Sequence, residues 1–138
     1  MSTVIKEEAF VDTCAWLELF VPVLPQSVPI RKLIMSRTYR LVTSDYIVDE
    51  LFSVLKSRNK YQARHAVWTF LNDPDLVDII FTTRSDLDGA YAIYSKFSDK
   101  DWSFTDCLSY YYIRKRKIRT ALSIDHHFHE FGIATVLP

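Results

Sequence analysis

Residues 39–58 read YRLVTSDYIVDELFSVLKSR. The first five, YRLVT, have the apolar and β-branched character of a short strand. Ser44 and Asp45 follow, either of them suited to cap a helix. Then Ile47, Leu51, Val54 and Leu55 recur at the i, i+4, i+7, i+8 spacing that gives a helix one apolar face. A strand that passes through a cap into an amphipathic helix is half of a crossover unit. Repeated crossovers build a parallel sheet with helices on both faces.

The pattern recurs along the chain. AFV at 9–11, DIIFT at 78–82, TALSI at 120–124 and IATVL at 133–137 read as further strands. CAWLELFV at 14–21, SVPIRKLIMSR at 27–37 with Ser27 as N-cap, YQARHAVWTFLN at 61–72, DLDGAYAIYSKF at 86–97 and SFTDCLSYYYIRKRK at 103–117 read as helices. The proline-spaced VPVLPQSVP at 21–29 reads as a helix–helix connection. The expected fold is α/β, in three layers with a mostly parallel five-stranded sheet, as a single domain over 1–138. CAWLELFV is apolar around much of its circumference, so it is either deeply buried or covered by another chain.

Composition narrows the function. The 138 residues are 49% apolar and 14% aromatic, enough for a substantial core. The 17 basic and 17 acidic residues cancel, which argues against a non-specific nucleic-acid coat. Cys14 and Cys107 are too few for a secreted disulfide framework. The N-terminal MSTVIKEEAFVD carries charges where a signal peptide needs an apolar run, and no apolar stretch is long enough to span a bilayer. The expectation is a cytoplasmic protein with no membrane partner. Gly89 and Gly132 are the only glycines, so the glycine-rich dinucleotide and P-loop motifs are excluded.

What remains is a set of carboxylates. Ligands of open α/β sheets bind beyond the carboxyl ends of the strands. Asp12 directly follows AFV, and Asp125 directly follows TALSI. The helix after YRLVTS starts at the same edge, with Glu50 one to two turns in and Asp49 as its competitor. Asp106 lies three residues after Ser103, which fits a capping box as well as a site. Clustered carboxylates repel one another and call for a cation with oxygen ligands, such as Mg²⁺ or Mn²⁺. An aspartate-nucleophile phosphatase needs a second aspartate two positions after the first; Cys14 stands there instead.

VDTCAW at 11–16, DELFSVL at 49–55, DWSFTDCLSYYYIRK at 101–115 and SIDHHFHEFG at 123–132 together resemble the PIN-domain ribonucleases, most closely the VapC-type toxins of type II toxin–antitoxin pairs. The resemblance spans nearly the whole chain in the expected order, and the S-F-T-D-C block is its most specific part. It implies a PIN-like fold and a Mg²⁺- or Mn²⁺-dependent endoribonuclease that leaves a 5′-phosphate and a 3′-hydroxyl. It implies Asp12, Glu50, Asp106 and Asp125 as the acidic site. Asp12 and Asp106 would coordinate metal, and Glu50 would coordinate it or orient the water. Asp125 would act through water or with a second metal. Thr13, Ser103 and Thr105 match supporting hydroxyl positions. A cognate antitoxin and a homodimer are implied as partners. A PIN nuclease outside such a pair, or a non-catalytic acidic binding module, is the alternative.

His126, His127 and His129 crowd behind Asp125. Three histidines in one short turn do not readily face one ion, so surface and structural roles are expected, with His127 or His126 as a phosphate contact. The run RKRKIR at 114–119 either ends a helix in solvent or forms an RNA-binding rim through Arg114, Lys115, Arg116 and Lys117. Cys14 and Cys107 flank two of the aspartates and are expected to be small buried side chains rather than zinc ligands.

Overall fold

The computed structural model describes residues 5–21 and 27–136. The stretch at 22–26, expected to connect two helices, lies outside the described residues. The elements are β1 (Glu8–Val11), α1 (Thr13–Phe20), α2 (Ser27–Met35), β2 (Arg40–Ser44), α3 (Asp45–Ser57), α4 (Arg64–Leu71), β3 (Val77–Ile80), α5 (Arg84–Lys96), α6 (Phe104–Lys115), β4 (Thr120–Leu122) and β5 (Ala134–Val136). Short 3-10 segments precede α4 and join β4 to β5.

All strand pairs are parallel, in the order β3-β2-β1-β4-β5. The chain moves outward from β1 to β3, then crosses back to β4. Because crossovers of this kind are right-handed, the reversal puts α1 to α4 on one face and α5 with α6 on the other. The direction changes between β1 and β4, and this switch point is where a crevice opens. The central strands are buried on both faces, which is why their sequences are continuous apolar runs.

Ser44 caps α3, its hydroxyl accepting the Ile47 N–H at 3.4 Å. Ile47, Leu51 and Leu55 enter the core as the helical period requires. The strand read as DIIFT stops at Ile80. Thr82 instead donates its N–H and its hydroxyl to the Asp45 carboxylate, which pulls the chain off the sheet and into α5. Of the two readings of CAWLELFV, the fold uses burial within its own chain. Trp16 is fully buried, its indole N–H bonds Thr43 Oγ1 at 3.2 Å, and its ring meets Phe70 edge-on.

Candidate active site

Register places the first two carboxylates. Val11 of β1 pairs with Leu122 of β4, so Asp12 and Ser123 stand side by side one step beyond the sheet. The Asp12 N–H bonds the Leu122 carbonyl at 3.1 Å. Asp12 sits at the N-cap of α1 but makes no capping bond with its side chain. Its Oδ2 instead accepts from Ser123 Oγ at 3.1 Å and from Cys14 Sγ at 3.2 Å. Ser123 Oγ also accepts the Asp125 N–H at 2.9 Å. One buried hydroxyl thus ties the two strand-end aspartates together. Asp125 does cap: its Oδ1 accepts the His127 N–H at 3.0 Å.

Asp106 does both things that its position allows. The capping box forms in full, with Ser103 N–H to Asp106 Oδ2 at 2.9 Å and Asp106 N–H to Ser103 Oγ at 3.1 Å. The box engages only Oδ2, and a carboxylate has a second oxygen. The charge of Asp106 is felt by Asp12, and that of Asp125 by Asp106.

Asp12, Thr13, Glu50 and Asp125 line one cavity of about 410 Å³. Glu50 faces it, whereas its neighbour Asp49 is exposed and does not line it. The helix phase of α3 separates the two. Thr105 is half-buried on the first turn of α6, next to Asp106.

Two cavity residues escaped the sequence reading. Glu18 is 4% exposed and lines the same space, as does Arg58. The signal for Glu18 was a single charge inside TCAWLELF. Ser123 was read only as part of a strand.

Electrostatics set this edge apart. Burial pushes the Asp12 carboxyl up to about 7; bonds from Cys14 and Ser123 oppose the shift, and the charge of Asp106 adds to it. Burial also raises Asp106, despite its bonds to Ser103. No lysine or arginine forms an ion pair with Asp12, Glu50, Asp106 or Asp125 among the described residues. The nearest partner is His127, whose Nδ1 lies 3.0 Å from Asp125 Oδ1 and 3.7 Å from Asp106 Oδ2. That nitrogen is buried and makes no well-directed hydrogen bond, and the buried Thr13 Oγ1 is likewise unpartnered.

Hard oxygen donors that lack a counter-charge, with an orphaned hydroxyl beside them, fit a divalent cation. Asp125, His126 and His127 also bring ligand atoms within 4.8 Å of one another, so two of the three histidines do converge with a carboxylate. His129 points to solvent.

The thiols are inert. Burial pushes Cys14 up to about 12 and Cys107 up to about 11, so neither offers a thiolate. Cys14 remains a protonated donor to Asp12.

The basic run goes elsewhere. α6 starts at the site's edge of the sheet and must end at the opposite edge to feed the parallel β4. Arg116 spends its guanidinium there on Glu8 at 2.8 Å and Asp78 at 2.9 Å. Lys117 and Arg119 line a small hollow with Glu7 and Glu8. Arg114 and Lys115 turn toward α5 instead.

The arrangement can be set beside known proteins. No curated protein sequence matches the chain. Among solved structures, VapC20 of Mycobacterium tuberculosis, a sarcin–ricin loop cleaving toxin, superposes with a TM-score of 0.84 at 24% identity, covering 94% of this chain and 99% of that one. VapBC2 from Rickettsia felis, bound to a DNA fragment from its promoter, gives 0.69 at 13% identity over 94% and 98%. FitAcB from Neisseria gonorrhoeae gives 0.64 at 17% over 92% and 95%. These likenesses show a shared fold, and they agree with the resemblance drawn from the four sequence blocks. Among the described residues no helix is long and apolar enough to cross a membrane. A family match runs from residue 9 to residue 134, from the strand that ends at Asp12 to the start of β5, and takes in all four carboxylates: the chain belongs to the PIN domain family.

Proposed function

We propose that this protein is a metal-dependent endoribonuclease, the toxin of a toxin–antitoxin pair. The observation that carries this reading is the convergence of Asp12, Glu50 and Asp125 on one cavity, with Asp106 beside them and no lysine or arginine to neutralise them. Carboxylates are held in such a deficit when an external cation completes the site.

Asp12, Glu50 and Asp106 would hold Mg²⁺ or Mn²⁺, with Asp125 as a fourth, outer ligand. When bound, the ion polarises the scissile phosphate and makes a coordinated water acidic enough to attack phosphorus. The chain's own residues do the positioning. Ser123 fixes Asp12 relative to Asp125, and Ser103 holds Asp106 at the first turn of α6. Glu50 orients the attacking water from across the cavity, and Thr13 and Thr105 supply hydroxyls to the ligand shell. Because Asp12 titrates near 7, metal binding at neutral pH would release a proton. His127, between Asp106 and Asp125, is placed to meet a phosphate oxygen.

The toxin reading draws support from the likeness to VapC20, itself a cleaving toxin, and from the four sequence blocks. It brings with it a cognate antitoxin that reaches toward the acidic cavity, a homodimer, and a cytoplasmic setting where RNA is available. For RNA contact along α6 the fold favours Arg114 and Lys115 over Arg116 and Lys117, which serve the far edge of the sheet.

The deciding experiment is cleavage of a mixed structured RNA pool with Mg²⁺ or Mn²⁺, with EDTA, and with an Asp12→Asn, Asp106→Asn double variant. Metal-dependent cleavage by wild type, reduced at least about 1,000-fold in the variant, is expected for the loss of such ligands. Equal cleavage by both proteins would refute the site.

A further inference from the structure

A second cavity, of about 390 Å³, lies between α5 and α6, away from the carboxylates. Its polar lining is unlike the rest of the molecule. The chain as a whole balances 17 basic against 17 acidic residues, yet this cleft is lined by Lys96, Arg114 and Lys115 and by no carboxylate. All three cations are exposed. Lys115 is partly committed, through a 3.2 Å ion pair with buried Asp86. Lys96 and Arg114 have no acidic partner among the described residues.

The apolar part of the lining is aromatic, and each cation is seated over a ring. Lys96 Nζ lies 5.4 Å from the Phe97 centroid, the Arg114 guanidinium 5.5 Å from Tyr110, and Lys115 Nζ 5.6 Å from Tyr111. Arg114 is further steered by a 2.8 Å bond to the Tyr110 hydroxyl. The rings are themselves fixed. Tyr110 packs edge-on against Phe97 and Phe131 and leans on Trp102. Tyr111 crosses α5 at Gly89, where any Cβ would overlap its ring. A long, floppy cation is a poor anion site; one laid along a rigid aromatic floor has lost much of its freedom beforehand.

Rigid rings beside unpaired cations, in a cleft of nucleotide size, match the chemistry by which single-stranded RNA is held: a base on an aromatic face and its phosphate on the cations. The cleft is also well placed. Arg114 lies eight residues beyond Asp106 on the same helix, about 12 Å along its axis. We propose that the α5–α6 cleft is a subsite for an unpaired nucleotide of the RNA substrate flanking the scissile bond, with the base against Tyr111 and Phe97 and the phosphate between Lys96 and Arg114. The subsite makes the enzyme select unpaired over duplex RNA. It rests on the ribonuclease reading for its biological meaning, but it is a binding claim and can be tested without cleavage.

The test is fluorescence anisotropy with a short labelled single-stranded RNA and the corresponding duplex, in EDTA so that nothing is cut, across a salt series. Wild type should bind the single strand more tightly. The Lys96→Gln, Arg114→Gln variant changes only exposed side chains and should melt like wild type. It should bind about 10-fold more weakly, with a salt slope shallower by about 1.4, roughly 0.7 for each lost single-strand phosphate contact. Tyr111→Leu keeps apolar bulk over Gly89; it should also lose about 10-fold, the scale of one base stack, with its salt slope unchanged. An unchanged affinity and slope in the double variant overturns the subsite. So does light scattering that shows the variants shifting from dimer to monomer, because the cleft would then belong to a second copy of the chain. Binding without any metal-dependent cleavage supports the subsite and removes the nuclease; a wild type that binds no RNA removes both.

Discussion

The two ends of the sheet treat acidic residues in opposite ways. At the N-terminal end, Glu8 and Asp78 stand on strands, and Arg116 reaches in from the end of α6 to bond both, at 2.8 and 2.9 Å. At the C-terminal end, Asp12 and Asp106 are held above their usual carboxyl range mainly by burial, and no arginine or lysine pairs with them. The residue types are the same, and the helix that supplies Arg116 at one end supplies Asp106 at the other. The fold therefore provides a counter-charge where carboxylates are structural and leaves it out where the strands open onto a cavity. Stability is given up at the second end, as is usual where a site must accept a ligand.

The largest effect should come from removing that cost. Asp12 titrates near 7 in the folded protein against 3.8 in the unfolded chain. Between those values the folded state keeps a proton that the unfolded state has lost, so stability falls as pH rises. Metal-free wild type should lose on the order of 2–4 kcal/mol between pH 4 and pH 7 from this group. Asp12→Asn should flatten that decline, melt at or above the wild-type temperature near pH 7 without metal, and gain less from added Mg²⁺. Denaturant melts across pH, with and without Mg²⁺, decide it. A variant that declines as wild type does and gains as much from Mg²⁺ would show that Asp12 neither strains nor ligates.

The opposite sign is expected at the other end. Arg116→Ala leaves Glu8 and Asp78 facing each other without their cation and should destabilise by about 1 kcal/mol, kept small because the groups are about a third exposed. The stabilisation by Mg²⁺ should be unaffected. If Arg116→Ala instead weakens the response to Mg²⁺, the two ends are coupled through α6 and the contrast between them fails.

Much of this contrast is legible in the amino-acid sequence, for reasons of short range. A strand run that stops at an aspartate marks a sheet edge, so local pattern alone places Asp12 and Asp125. Helix phase from Ile47, Leu51 and Leu55 puts Glu50 at the cavity and Asp49 in solvent. The capping box of Ser103 and Asp106 is local too. What local pattern does not carry is where a long element ends. RKRKIR looks like one rim, but its residues divide between the α5 side and the N-terminal edge because α6 must deliver the chain to a parallel strand. Ser123 and Glu18 escape the sequence for a related reason. Ser123 matters through Asp12, more than a hundred positions away, and no periodicity marks such a neighbour.

The smallest expected change is the most discriminating. Thr13 Oγ1 is buried at the acidic end without a hydrogen-bond partner. An unsatisfied buried hydroxyl costs stability, so Thr13→Val, which replaces it with a methyl of similar size, should leave the metal-free protein unchanged or stabilise it by up to about 1 kcal/mol. If the hydroxyl is idle because its partner is the ligand shell, the same variant should shorten the Mg²⁺-induced rise in melting temperature. Both readings come from one pair of thermal melts. A metal-free loss of more than about 1 kcal/mol would mean that the hydroxyl already has an internal partner. The acidic end would then be closed around its own groups, as the Arg116 end is, and the difference between the two ends would reduce to burial alone.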